Sequence, residues 1–299
     1  MNYGPRPMGA LDGRVAIVTG AGRGLGRAHA LHLAAEGAKV VVNDLGSAPD
    51  GTGSDASQAA LVVEEIVATG GEAVVSTHDC ADFEQAHRLV ESAVEAFGDL
   101  HVLVNNAGIL RDRRLVNMSE SEWDDVIRVH LKGHFAPTHH AARWWRSRSR
   151  SGAEVRASVV NTTSTSGLIG NFGQTNYGAA KAGIAAMTVI AAQELGELGV
   201  RVNAVAPAAR TRLTQQTPGL SELVGPPEDP AVFDLWDPGN ASPLVAWLAT
   251  EACPATGRVF FVQGGEVKLF QGWTIASSVQ REDRWTVAEL NEAIPKLLD

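Results

Sequence analysis

Three observations in the sequence predict an α/β fold: a doubly wound parallel sheet of about seven strands with helices on both faces. Short runs rich in Val, Ile and Ala alternate with longer segments whose apolar residues recur at helical spacing. The first such run leads through a glycine-rich turn straight into a helical segment. The strand-like runs are apolar in the middle and polar at the ends, as suits strands covered on both faces.

In order, Val15–Thr19 is the first predicted strand and Gly24–Glu36 the first helix. Lys39–Asn43 and Ser57–Ala68 follow, separated by Gly46–Ala56, whose Gly, Ser and Asp content reads as an extended loop. Glu72–Ser76 precedes the helix Phe83–Phe97, and Leu100–Asn105 precedes a long helix, Ser121–Trp145. Ala157–Thr162 is paired with Ala179–Leu198, Val200–Val205 with Ala241–Thr250, and Val259–Val262 closes the sheet. Residues 1–10, rich in Gly and Pro, are expected to form a mobile arm, and 11–265 one α/β domain. Residues 266–299, with Trp273 and Trp285, form an extension expected to pack on the core or on a neighbouring subunit. The proline-rich stretch from Pro207 to about Gly239 reads as a mobile flap beside the site.

The 299 residues are 44% hydrophobic and 20% charged, and no apolar stretch approaches the ~20 residues of a membrane span. A net charge of −9 argues against general nucleic-acid affinity. Cys80 and Cys253 are too few for a disulfide framework or a zinc site, and no leader pattern opens the sequence, so a cytoplasmic protein is expected. The histidines, His139-His140 included, lack metal-site spacing, and no metal is expected. The basic run Arg143–Arg150 falls where a long helix should end, where cations complement the helix dipole.

The chemistry is carried by four motifs. Thr19-Gly-Ala-Gly-Arg-Gly-Leu-Gly26 sits between strand and helix, the context in which glycines hold a dinucleotide pyrophosphate. Gly20, Gly24 and Gly26 allow the tight turn, the close approach and the helix packing, with Arg23 and Leu25 in the same cofactor-binding stretch. The helix N-terminus offers N–H groups to the anion. Asp44 ends the second strand, where a carboxylate accepts from both ribose hydroxyls and repels a 2′-phosphate; this favours NAD, although Arg23 could meet such a phosphate. Asn105-Asn-Ala-Gly108 closes the fourth strand and brings Asn106, Ala107 and Gly108 to the cofactor. Last, Ser164 precedes Tyr177 and Lys181, which lie one helical turn apart. A lysine ammonium near a phenol favours the phenolate, so the tyrosine can exchange a proton with an alcohol or carbonyl oxygen, which Ser164 can hold.

With these motifs in this order, the sequence resembles the short-chain dehydrogenase/reductase family, whose Rossmann-like fold the element pattern already suggests. The resemblance implies Ser164, Tyr177 and Lys181 as catalytic residues, with Tyr177 and Lys181 also touching the cofactor. It implies Asp79 on the adenine side, Pro207 after the sixth strand, and Thr211 at the nicotinamide carboxamide. His130 stands where that family usually has a helix asparagine; it is read as a packed helix residue whose backbone carbonyl holds a relay water. A narrower similarity, to the dehydrogenase unit of type 2 peroxisomal multifunctional enzymes, is carried by Val41–Gly46, Asn106–Arg113, Arg128–Gly133 and Gly170–Tyr177. It implies oxidation of (3R)-3-hydroxyacyl-CoA thioesters with NAD. Alternatives are a 17β-type hydroxysteroid dehydrogenase and an inactive dinucleotide-binding scaffold or sensor. The partner is thus a small-molecule substrate, acyl-CoA or steroid, with no nucleic acid and no membrane. The long helices also match those that pair subunits in the family, which implies a homodimer or homotetramer.

Overall fold

The structure, a computed structural model, describes residues 9–46, 57–211, 224–229 and 231–298. Residues 1–8 of the predicted arm, 47–56 of the predicted loop, and 212–223 and 230 of the predicted flap lie outside the described residues.

Seven strands run parallel: β1 (Val15–Thr19), β2 (Lys39–Asn43), β3 (Ala73–Ser76), β4 (Val102–Asn105), β5 (Ala157–Thr162), β6 (Val200–Pro207) and β7 (Val259–Gln263). An eighth, β8 (Glu266–Leu269), turns back antiparallel on β7. The order across the sheet is β3-β2-β1-β4-β5-β6-β7-β8. The sheet is therefore one strand wider than the sequence pattern predicts. Residues of β8 are all exposed, so the segment shows no buried apolar run.

The helices in chain order are α1 (Gly24–Ala35), α2 (Ser57–Ala68), α3 (Phe83–Phe97), α4 (Glu120–Val126), α5 (Gly133–Arg150), α6 (Thr165–Leu168), α7 (Thr175–Leu195) and α8 (Ser242–Ala249). Period-two alternation along the strands builds two cores. Ala16, Val18, Val40 and Val42 pack with Leu33 of α1, Val62 of α2 and Val245 of α8. Val15, Ile17 and Val41 face the other way, toward Leu89 of α3, Trp145 of α5 and Ala192 of α7. This two-sided burial is the doubly wound arrangement.

Two helices depart from prediction in ways that shape the site. The expected single helix over Ser121–Trp145 begins at a Ser119/Glu122 capping box and passes through a π-helical stretch, Ile127–Lys132, before continuing to Arg150. Such stretches recur at functional sites because they displace backbone carbonyls from the α-helical ladder. Helix α7 starts at Thr175 rather than Ala179, so Tyr177 lies within its first turn. Buried Asn176 anchors that start: its Nδ2 donates to Arg111 O and Glu122 O, both at 3.0 Å, and its Oδ1 accepts from Tyr177 N–H at 2.7 Å.

Residues 270–298 form a separate unit with two short helices, Val287–Ala293 and Pro295–Leu298. The first starts at a Thr286/Glu289 capping box, and Glu289 also pairs with Arg281. Among the described residues, no helix is long and apolar enough to cross a membrane.

Candidate active site

Because β1 lies between β2 and β4, the chain leaves it in opposite directions on the two sides, which opens a crevice at the carboxyl ends of β1 and β4. Thr19 Oγ1 there accepts from the N–H groups of Asn106 and Ala107 at 2.9 and 3.1 Å. Asn106 Nδ2 returns hydrogen bonds to Thr19 O and Gly20 O at 3.0 and 3.2 Å. The approach is too close for side chains: a Cβ on Gly20, whose φ is +64°, would lie 2.8 Å from Ala107 Cα, and one on Gly26 would lie 2.1 Å from Gly20 O.

Helix α1 opens on Arg23 with no side-chain cap and no acidic residue in its first turn, which includes Leu25. Its leading N–H groups are therefore directed at whatever anion occupies the crevice. Gly24, with φ +54°, faces the Thr211 methyl at 3.7 Å from a built Cβ, which places Thr211 over the turn. Pro207 ends β6 beside β7. These features fit a dinucleotide pyrophosphate, which Gly20, Gly24, Gly26 and the α1 N-terminus would hold.

The flanking groups are fixed by the fold. Asp44 Oδ2 accepts from Gly22 N–H at 2.7 Å and Oδ1 from Gly46 N–H at 2.6 Å. Its carboxylate thus stands at the glycine turn, where a ribose would lie. Arg23 Nε donates to Gln58 Oε1 at 2.9 Å. Asp79 accepts from Ala81 N–H at 2.8 Å and pairs with Arg128 at 2.9 Å. Gly108 is required by His130, whose Cε1 would lie 2.4 Å from an added Cβ. His130 packs as the sequence suggests. Its Nε2 meets Ile109 N–H and O at 3.1 and 2.7 Å, its ring meets Tyr177 edge-on at 5.1 Å, and burial lowers its pKa well below the ordinary value.

Ser164, Tyr177 and Lys181 converge beside this crevice. Ser164 N-caps α6, its Oγ accepting from Ser166 N–H at 3.1 Å, and its hydroxyl stands by Tyr177, whose ionisation it favours. Lys181 is buried, with Nζ donating to Thr162 O at 2.7 Å and lying 5.4 Å from the Tyr177 ring centroid. Here the expected electrostatics need correction. Burial, not lysine, dominates the phenol and pushes Tyr177 up to about 12, with the Ser164 hydrogen bond acting against it and the Asp112 charge with it. Burial also brings Lys181 down to about 7. Solvent exclusion depends on distant chain segments, so helical spacing alone could not reveal it.

Other residues of the site, His134 excepted, lie within the quoted motifs, but their roles depend on contacts made by folding. Thr19 and Asn176 act through hydrogen bonds to remote backbone. Asp112 and Gln174 join across the mouth, Gln174 Nε2 donating to Asp112 Oδ2 at 2.7 Å. His134 is buried beside Lys181, and its pKa falls to about 3 by burial. Helical spacing from His130 was the one available signal for it.

Comparison with known proteins agrees with this geometry. The sequence matches the short chain dehydrogenase family over residues 14–219. Hydroxyacyl-CoA dehydrogenase ChsB1 of Mycobacterium tuberculosis is 45% identical over 277 residues, 90% of this chain and 83% of that protein. Peroxisomal multifunctional enzyme type 2 of Drosophila melanogaster is 42% identical over 246 residues, 82% of this chain but 38% of that protein. A solved short chain dehydrogenase from Mycobacterium avium shares 50% identity at a TM-score of 0.86, covering 97% of this chain and 96% of that one. The chain belongs to the short-chain dehydrogenase family, oxidoreductases that act on CH–OH groups and typically bind a nicotinamide dinucleotide.

Burial of Lys181 has a measurable consequence. Its pKa falls from 10.5 to about 7, so between those values the unfolded chain holds a proton that the folded chain lacks. The penalty is full below pH 7 and fades as pH rises toward 10.5. In urea titrations across that window, Lys181→Met is expected to lose this rise in stability, up to about 1.4 kcal/mol per pH unit.

Proposed function

We propose that the protein oxidises the 3-hydroxyl of a (3R)-3-hydroxyacyl-CoA thioester to the ketone, with NAD as cofactor. The reading rests on the convergence of Ser164, Tyr177 and Lys181 beside the glycine-lined crevice. NAD, when bound, accepts the hydride that leaves the carbinol carbon. Tyr177 Oη takes the hydroxyl proton. Ser164 donates to the substrate oxygen and holds it against Tyr177. The Lys181 ammonium stabilises the Tyr177 phenolate that accepts this proton and would bind the ribose. Asp44 would accept from the ribose hydroxyls and disfavour a 2′-phosphate, which supports NAD over NADP.

The mouth of the site supports a thioester over a steroid. Leu115, Val116, Ile169 and Phe172 are exposed in the two segments bridged at Arg113 and Gln174, with Phe172 80% exposed. Arg111 and Arg113 pair with Asp125 and Glu122, whereas Arg114 lies 5.1 Å over the Phe172 ring. An acyl chain suits these apolar side chains, and a guanidinium suits the phosphates of coenzyme A, which a steroid lacks. The name of the Mycobacterium tuberculosis relative, hydroxyacyl-CoA dehydrogenase, supports the same class. Exposed Val189 and Ile190 on α7 support a homo-oligomer built on that helix, and the two buried free thiols suit a cytoplasmic location.

Tyr177→Phe is expected to cut NADH formation by roughly 10²- to 10⁴-fold with NAD binding retained; turnover near wild type would sink the mechanism. Wild type should use NAD in preference to NADP, and Asp44→Asn should narrow that preference in steady-state kinetics. Arg114→Ala should raise KM for the CoA thioester and leave KM for the matching N-acetylcysteamine thioester, which has no phosphate, unchanged.

A further inference from the structure

Gln174, buried just before α7, uses the two ends of one amide differently. Nε2 donates to Asp112 Oδ2 at 2.7 Å, while Oε1 accepts from the Ser166 hydroxyl at 2.8 Å and from Asn171 Nδ2 at 2.9 Å. Ser166 then donates its backbone N–H to Ser164 Oγ at 3.1 Å. The backbone closes the same loop, with Arg113 N–H donating to Gly173 O at 2.8 Å.

An ionised carboxylate can only accept hydrogen bonds. Asp112 therefore keeps the amide nitrogen on its own side and leaves the oxygen to Ser166 and Asn171. With the Ser166 N–H on one lone pair of its oxygen, Ser164 keeps its O–H and one further lone pair for Tyr177 and the substrate. A group at position 112 that donates as well as accepts would let the amide turn over, and Asn171 Nδ2 would then face a second N–H donor.

The geometry points to Asp112 as a positioning residue of the oxidation: through Gln174 and Ser166, its carboxylate sets the direction of the Ser164 hydroxyl. This rests on the roles given above to Ser164 and Tyr177. The same charge reaches Tyr177 through space and opposes ionisation of the phenol. The other groups facing Tyr177 are Ser164, the Lys181 ammonium on α7, and the His130 ring of the π-helical stretch, which burial keeps neutral. Arg111 and Arg113, on either side of Asp112, are engaged with Asp125 and Glu122.

Direction and charge separate under mutation, with (3R)-3-hydroxyacyl-CoA and NAD as substrates. Asp112→Asn removes both: kcat is expected to fall roughly 10- to 100-fold, and the acid limb of the kcat/KM profile moves to lower pH. Gln174→Leu keeps the charge but breaks the chain, so kcat falls and the limb stays. Asp112→Glu keeps an acceptor-only carboxylate and recovers turnover and profile. A second readout needs no turnover. Tyr3 and Tyr177 are the two tyrosines of the chain, so in a Tyr3→Phe background tyrosinate absorbance reports Tyr177 alone, and Asp112→Asn should lower its midpoint. If Gln174→Leu keeps kcat near wild type, or if neither the limb nor the midpoint moves in Asp112→Asn, the proposal is overturned. Turnover retained by Tyr177→Phe would instead remove the proposed mechanism, while the absorbance midpoint tests Asp112 independently of it.

Discussion

The close approach of backbone at the carboxyl ends of β1 and β4 governs the rest of the molecule. Strand order reverses there, so two loops diverge and must still be held together. Four hydrogen bonds do this, two into the Thr19 hydroxyl and two out of the Asn106 amide. They satisfy backbone groups that the strands leave behind at their ends. They also require Gly20 and Gly26, since any side chain would strike the facing backbone. The bare crevice that results is what a pyrophosphate needs, and its position over the sheet centre brings α7 within reach.

Helix α7 supplies the second half of the site under a different constraint. Tyr177 and Lys181 are both buried, and burial penalises the charged form of each. Phenolate and ammonium formed together offset that penalty for one another, which neither does alone. Thr162 O, accepting from Lys181 Nζ, fixes the cation at the end of β5. The π-helical stretch sets His130 against Tyr177 from the opposite side, as a neutral ring that adds no charge to the pair.

Local features were legible in the sequence, and features that depend on distant segments were not. The glycine turn, the Asn105–Gly108 run and the Tyr177/Lys181 spacing each lie within a few residues, so the order strand, turn, helix exposes them directly. Strand β8 was hidden because its residues are all exposed and leave no buried run. The π-helical stretch was hidden because a slip in hydrogen bonding has no side-chain signature. The early start of α7 depends on Asn176 reaching Arg111 and Glu122, contacts made only after folding. The upward shift of Tyr177 has the same origin, since solvent is excluded by elements from several parts of the chain.

Three amide side chains hold this site together, and their chemistry suggests why. Asn106 ties β4 to β1, Asn176 ties α7 to the loop after β4, and Gln174 ties that same loop to the segment after β5. Asn106 donates twice, while Asn176 and Gln174 both donate and accept, tasks a carboxylate could do only in part. An amide also brings no net charge. The field at the Tyr177 hydroxyl is then left to a few ionisable groups, Asp112 among them, with the Lys181 ammonium 5.4 Å from the ring centroid. In a low-dielectric pocket each added charge would act strongly on a buried phenol. Neutral, two-sided side chains are therefore suited to carry structure there, and charge is kept where it can direct a proton.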